Sequence, residues 1–74
     1  MEDLALRILK RLGEHGISAM IRYDAERRPG DPHWTFAASG GALEQGMRAD
    51  GQTADQCLSL ALDRLRAAGV DVSF

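Results

Sequence analysis

The residues with the most reactive side chains are scattered along the sequence. The chain of 74 residues contains two histidines, His15 and His33, and a single cysteine, Cys57. A structural zinc site takes four ligands in paired short spacings, whereas these three residues fall at a helix end, in a loop and on the apolar side of a helix. A reactive thiol needs exposure and a positive neighbour, and Cys57 has the pattern of a packing residue. We therefore expect no metal site, no cofactor and no catalytic cysteine.

The glycines near the middle of the chain invite comparison with a phosphate-binding loop. In the Walker sequence, a lysine and then a serine or threonine follow the last glycine. Here Met47 and Arg48 follow Gly46. The adjacent pair Gly40-Gly41 suits a tight hairpin turn, which requires positive φ angles. The glycines therefore favour a β-hairpin over a phosphate site.

Charged side chains are concentrated between residues 24 and 31, where the sequence carries Asp24, Glu26, Arg27, Arg28 and Asp31. Local ion pairing is the ordinary state of such a solvated loop, and no apolar pocket is implied that would raise a carboxyl pKa. Arginine is enriched at interface hot spots. We therefore interpret Glu26, Arg27, Arg28 and Asp31 as an exposed segment that contacts a partner, and we expect the protein not to be an enzyme.

Length and composition predict one globular domain spanning residues 1–74. Hydrophobic residues make up 45% of the chain, the formal net charge is −2 and the pI is about 5.5. An acidic balance disfavours direct, nonspecific nucleic-acid binding. A lone cysteine fits a reducing compartment. No apolar run has the length of a membrane span and the N-terminus does not resemble a signal peptide, so we expect a cytoplasmic protein without membrane contact.

Two amphipathic segments are predicted to form helices. The second, Thr53–Ala68, has the clearer signals: Thr53 suits the N-cap, Gln56 suits a capping box that returns to the Thr53 N–H, and Gly69 suits the left-handed position after the helix. The first, Glu2–Leu12, places its apolar residues on one stripe and ends at Gly13 or Gly16.

Three further segments alternate between apolar and polar residues, as strands with one buried face do. They are Ile17–Asp24, Trp34–Ser39 and Ala42–Arg48. The loop Ala25–His33 contains two prolines and a glycine. Val70–Phe74 also alternates and is interpreted either as a short fourth strand or as a tail beside the first strand. We therefore predict an α+β fold of order α-β-β-β-α(-β), an antiparallel three- to four-stranded sheet with two helices packed on one face.

A two-residue turn at Gly40-Gly41 sets the predicted hairpin register. It pairs Phe36 with Gln45 and Trp34 with Met47. The apolar residues of both strands then share one face, with Gln45 as the exception.

Two surfaces outside the loop are candidates for contact with a partner. Leu6 and Leu60 each lie more than about 100° around their helix from the core stripe, and together they are interpreted as a patch for a protein partner or a second copy. The protein is then a monomer or a homodimer. Met20 and Arg22, with Thr35, are placed on the sheet face that the helices leave open.

The order α-β-β-β-α resembles that of double-stranded-RNA-binding domains. That family reads RNA phosphates with a basic cluster at the start of its second helix. Here the start is Gly51-Gln52-Thr53-Ala54-Asp55, without lysine or arginine. The resemblance implies RNA binding as a second alternative function.

The stretch from Trp34 through the hairpin to Gly51-Gln52-Thr53-Ala54-Asp55-Gln56-Cys57 resembles the sheet-to-helix junction of antitoxins that neutralise small mRNA-cleaving toxins. Those proteins carry a G-x-T-x-x-E-A pattern, and here Gln56 and Cys57 replace the acid and the alanine. This resemblance implies a first alternative, neutralisation of a small basic toxin.

In size, charge and architecture the whole chain is similar to the anti-CRISPR proteins, small phage-encoded inhibitors of host defence. The resemblance implies a protein that docks on a CRISPR effector complex and blocks its binding to target nucleic acid. Acidic side chains would meet the basic channel of the effector, while Arg27 and Arg28 would fix the register. The acidic residues in question are Glu14, Asp24, Glu26, Asp31 and Glu44.

Overall fold

The structure is a computed structural model that describes residues 3–72. Its elements are α1 (Leu4–Glu14), β1 (Ile17–Tyr23), β2 (Trp34–Gly40), β3 (Leu43–Gly51) and α2 (Ala54–Ala67). The strands form one antiparallel sheet in the order β1-β2-β3. The predicted α+β class and the order α-β-β-β-α are confirmed. Over the described range, neither helix combines the length and apolar character needed to cross a bilayer.

Side-chain caps begin both helices. Asp3 accepts a hydrogen bond from the Ala5 N–H at the start of α1. At the start of α2, Thr53 Oγ1 accepts from the Gln56 N–H at 3.1 Å, as predicted. The return bond differs from the prediction, because the Gln56 side chain accepts from the Gln52 N–H at 3.0 Å and not from Thr53. This bond holds Gln52, the residue before Thr53, against the start of α2.

The end of α2 follows the predicted glycine signal. Gly69 has a φ of +85°, the left-handed conformation that a side chain disfavours. The Gly69 N–H donates to the Arg66 carbonyl, and the Val70 N–H donates to the Leu65 carbonyl at 3.0 Å. This pair of bonds is a Schellman motif, which satisfies carbonyls at the helix end. α1 instead includes Gly13 and ends before Gly16, two residues later than predicted.

Both helices pack on the same face of the sheet, and one apolar core lies between the layers. Phe36 at the centre of β2 is fully buried, together with Leu12 of α1 and Leu65 of α2. The other buried members of this cluster are Ile8, Ile17, Ala38, Leu43, Ala49, Cys57, Leu58, Ala61, Val70 and Val72. The alternating apolar pattern of the strands therefore predicted the buried face correctly.

The predicted hairpin register is wrong. Gly40 pairs with Leu43 and Ala38 pairs with Met47, so β2 advances two residues where β3 advances four. Gly46 lies in the resulting bulge with a φ of +76°. Phe36 consequently pairs with Ala49 rather than Gln45. The offset is an even number of residues, so the side chains outside the bulge keep their predicted faces, whereas Gln45, inside the bulge, is exposed.

Residues 70–72 form a packed tail without a fourth strand. Val70 and Val72 are buried in the core, and Asp71 lies 3.7 Å from the Arg11 guanidinium of α1. The C-terminal segment up to Val72 thus contributes to the core through side-chain packing alone. Ser73 and Phe74, which completed the predicted Val70–Phe74 strand, lie outside the described residues.

Candidate functional site

The sheet face opposite the helices, which we call the open face, carries the most polar and charged cluster of the described chain. Strand alternation directs Ser18, Met20 and Arg22 of β1 to this side. Their cross-strand partners Ser39, Ala37 and Thr35 on β2 point the same way. On β3, Arg48 and Asp50 pair with Ala37 and Thr35 and complete the surface.

The open face is a shallow, open surface. Two depressions of about 530 and 350 Å³ lie along it and share Met20, Ala37 and Arg48 in their walls. Met20 is 48% exposed, which is high for a large apolar side chain at the middle of a strand. The groove therefore has an apolar centre with a small residue, Ala37, in its floor and an arginine on its rim.

Arg27 closes one end of the groove. Its Nε lies 3.3 Å from an Asp24 carboxylate oxygen, its Nη2 donates to Thr35 Oγ1 at 2.9 Å, and its Nη1 donates to the Pro32 carbonyl. Nη1 also lies 3.6 Å from Asp50. Only 20% of the Arg27 side chain is exposed. The expectation of an exposed Arg27 is therefore wrong, because its guanidinium ties the loop to β2 and β3.

Asp50 links the two sides of this network. It accepts a hydrogen bond from the Thr35 hydroxyl at 2.7 Å and lies 3.3 Å from Arg48 Nε. The Thr35 bond, followed by the Arg48 and Arg27 charges, lowers the pKa of the Asp50 carboxyl below its ordinary value of 3.8. The Glu26 N–H and the arginines Arg27 and Arg22 similarly lower the pKa of Asp24. Both carboxylates are thus held ionised beside the groove.

The other predicted partner residues lie at separate places. Arg22 is exposed on the open face, 3.5 Å from Asp24. Glu26, Arg28 and Asp31 are exposed on the loop. Met20, Arg22 and Arg27 therefore share one groove, and the loop residues stand beside it.

Leu6 and Leu60 do not form the predicted patch. Leu6 is 53% exposed on α1. Leu60 is half-buried and packs against the core, so the expectation that it is exposed is wrong.

The sequence did not identify Arg48 and Asp50 as a pair of functional candidates. Their i, i+2 spacing on a strand places both on one face, and an arginine two residues from an aspartate is a recognisable signal. The predicted strand ended at Arg48, whereas β3 continues to Gly51. Asp50 therefore lay outside the predicted strand.

Cys57 and His33 are held by contacts with their neighbours, whereas His15 is exposed. Cys57 is fully buried and its thiol donates to the Ala49 carbonyl at 3.4 Å. Burial, with a smaller contribution from Asp50, raises the pKa of this thiol above 9.0. His33 stacks on Tyr23 with ring centroids 5.4 Å apart and lies 3.1 Å from the Arg27 carbonyl. Across residues 3–72 no three His, Cys, Asp or Glu side chains converge as a metal site would require.

Comparisons of the chain with protein-family models, curated proteins and solved structures give no match.

Proposed function

We propose that this protein is a non-catalytic protein-binding module that docks on its partner through the open face. The observation that carries the proposal is the exposed Met20 at the centre of a shallow, open sheet surface, with Arg22 and Arg48 exposed around it. An apolar anchor surrounded by arginine is the arrangement found at interface hot spots.

The charge of the groove indicates the chemistry of the partner. Three arginines, Arg22, Arg27 and Arg48, line it together with Asp24, and Asp50 lies beside it, 3.6 Å from Arg27. The balance is three minus two, or +1, on a protein whose net charge is −2. A partner segment that presents an apolar side chain flanked by carboxylates would complement this surface.

A more specific form of the proposal is inhibition of a CRISPR effector. It is supported by small size, by the net charge of −2 and by four exposed carboxylates, of which Glu14 lies 3.5 Å from Arg11. Glu14, Glu26, Asp31 and Glu44 are exposed, whereas Asp24 is neutralised by its arginine neighbours. These four carboxylates would meet the basic nucleic-acid channel of the effector, while the open face anchors the complex.

The test compares two arginine reversals of equal exposure. Arg48→Glu changes the open face, and Arg66→Glu changes the outer surface of α2; both side chains are 60% exposed and each pairs with one aspartate. Partners captured from the source organism are identified and then titrated against each variant. We expect Arg48→Glu to weaken binding at least about tenfold and Arg66→Glu to leave it unchanged. Equal affinities of the two variants would contradict docking through the open face.

A separate measurement tests inhibition of a CRISPR effector. We expect the wild-type protein to prevent a purified effector from binding target DNA in a mobility-shift assay. The Arg48→Glu variant should lose this inhibition. If the wild-type protein does not affect DNA binding by the effector, inhibition of a CRISPR effector is ruled out. The proposal of a protein-binding module would then be tested by the titration of partners alone.

RNA binding is a second candidate, favoured by the observed order α-β-β-β-α. The start of α2 presents Gln52, Thr53 and Asp55 in place of a basic cluster. Duplex RNA binding that weakens steeply with salt would support this candidate. Absence of such binding would exclude it.

A further inference from the structure

The outer edge of β1 carries a row of backbone groups that face away from the sheet. The Asp24 N–H donates to the His33 carbonyl at 2.8 Å, directly after the pair Tyr23 and Trp34. Antiparallel ladders alternate between hydrogen-bonded and non-hydrogen-bonded pairs. Even-numbered residues of β1 therefore direct their N–H and C=O groups to β2. The odd-numbered residues direct theirs outward, and these are Ile17, Ala19, Ile21 and Tyr23.

The opposite edge of the sheet is partly protected. By the same alternation the Arg48 carbonyl points outward from β3, and the Arg64 guanidinium of α2 donates to it. The bulge at Gly46 further interrupts this edge. Among residues 3–72, no backbone hydrogen bond from another segment reaches the outward groups of β1. The described sheet thus has one edge that Arg64 and the bulge protect and one edge, seven residues long, without such protection.

We propose that a second copy of this chain pairs with β1 edge to edge. An antiparallel arrangement centred on Met20 brings Ala19 opposite Ile21 of the second copy and Ile17 opposite Tyr23 of the second copy. All four of these residues have outward backbone groups, so the pairing forms ~8 backbone hydrogen bonds. The two Met20 side chains face each other across the two-fold axis, and the contact is the same patch on both subunits.

Charge and polarity agree with this register. Arg22 comes to lie opposite Ser18 of the second copy, so no two like charges are directly opposed. Edge strands are usually protected by prolines and by charged side chains. β1 contains no proline and a single charged residue. The sequence Ile17–Tyr23 is therefore suited to pairing with itself.

The same arrangement covers a side of α1 on which Leu6 is 53% exposed and Leu9 is half-buried against the core. Leu6, Leu9 and Gly13 follow one another at spacings of three and four and share one side of the helix. Leu4 lies on the opposite flank, where it lines a groove with Leu58 of α2. The side bearing Leu6 therefore faces beyond β1, where α1 of the second copy would lie. The exposed Gly13, whose Cβ position meets no atom within 4 Å, permits close approach of the two helices.

The size of the contact predicts the strength of the dimer. Seven strand residues span about 24 Å, and the shortest extent of the molecule is 17 Å. The surface that each copy contributes to the contact is thus roughly 400 Å², or roughly 800 Å² for both copies together. This area is below the ~1,200 Å² of stable interfaces. We expect a reversible dimer with a dissociation constant on the order of micromolar.

Equilibrium sedimentation of the full chain measures the association. We expect the mass to rise with concentration from 8.1 kDa towards twice that value. The exposed substitution Leu6→Lys should raise the dissociation constant at least about tenfold, and the matched substitution Ser59→Lys on α2 should leave it unchanged. A mass that stays at 8.1 kDa up to several hundred micromolar, or equal effects of the two variants, would overturn the proposal.

Disulfide trapping tests the register and is independent of the proposed binding function. Met20→Cys places two thiols in a non-hydrogen-bonded pair, whose Cα atoms lie about 4.5 Å apart, within reach of a disulfide. Ser18→Cys places them four residues apart along the strands, about 14 Å, which no disulfide spans. We expect mild oxidation to give a covalent dimer with Met20→Cys alone. Trapping of both variants, or of neither, would overturn the register. Arg48→Glu should dimerise normally, which separates this inference from docking on a partner.

Discussion

Arg27 and Arg28 are adjacent in the sequence, yet they have opposite environments. Asp24 accepts from the Glu26 N–H and turns the loop so that the Arg27 side chain lies over Thr35, while Arg28 stays exposed. The sequence predicted a charged loop at this position correctly. It could not predict which arginine points inward, because that choice depends on acceptors from β2 and β3 that lie 8 or more residues away.

Substituting each of the two arginines with alanine should have different effects on the free energy of unfolding. Arg27→Ala removes the donor that bridges Asp24, Thr35 and Asp50 and leaves their acceptors without it, so the free energy of unfolding should fall by roughly 2 kcal/mol. Arg28→Ala should change it by less than about 0.5 kcal/mol. Urea unfolding monitored by Trp34 fluorescence measures both. Similar midpoints for the two variants would show that the network does not contribute to stability.

The ionisation of Asp50 predicts a dependence of stability on pH. Its hydrogen bond from Thr35 and its arginine neighbours lower the pKa of the carboxyl below 3.8 in the folded state. Protons therefore bind the unfolded chain more readily, so the stabilisation is complete above the ordinary pKa and is lost as the pH falls through the folded value. Asp50→Asn should unfold more easily at neutral pH and lose less stability on acidification than the wild type. An unchanged acid response in this variant would contradict the assignment.

Among the elements, the caps were the most predictable and the strand register the least. Thr53 and Gly69 act through neighbours within a few residues, so sequence alone specified both ends of α2. The register depends on the bulge at Gly46, where a Cβ would lie 3.1 Å from the Ala38 carbonyl oxygen. A glycine in a strand signals such a bulge in general. It does not say how many residues the bulge takes up.

Two glycines test how closely the elements approach one another. A Cβ on Gly51 would lie 2.5 Å from the Cys57 nitrogen of α2, whereas a Cβ on Gly13 meets nothing within 4 Å. Gly51→Ala should push α2 off the sheet and lower the free energy of unfolding by roughly 2 kcal/mol. Gly13→Ala should raise it by roughly 0.5–1 kcal/mol, because alanine favours the helix. Thermal unfolding in dilute solution measures both, and the same sign for the two changes would refute this description of the contact.

For the whole molecule, the core depends on residues beyond the last helix. The sequence predicted the two layers, since apolar stripes and alternation define faces locally. It did not settle the role of residues 70–72, because a short alternating segment suits either a strand or a packed tail. Val72 lies among the core residues with 2% exposure. A domain of this size has little surplus stability, so each buried side chain of the tail matters.

The tail contains a matched pair of neighbours for testing this. Val72→Ala removes two buried carbon atoms and should lower the free energy of unfolding by roughly 2 kcal/mol. Asp71→Ala removes an exposed carboxylate that lies 3.7 Å from the Arg11 guanidinium and should cost less than about 1 kcal/mol. Chemical denaturation distinguishes the two variants. A Val72→Ala protein as stable as Asp71→Ala would mean that the tail does not belong to the core.

The Arg64 side chain has a consequence for growth of assemblies. Because it covers the Arg48 carbonyl, it hinders a further copy from adding at this edge once two copies have joined through their first strands. Truncating that one arginine would uncover the carbonyl and leave the bulge at Gly46 to oppose larger assemblies.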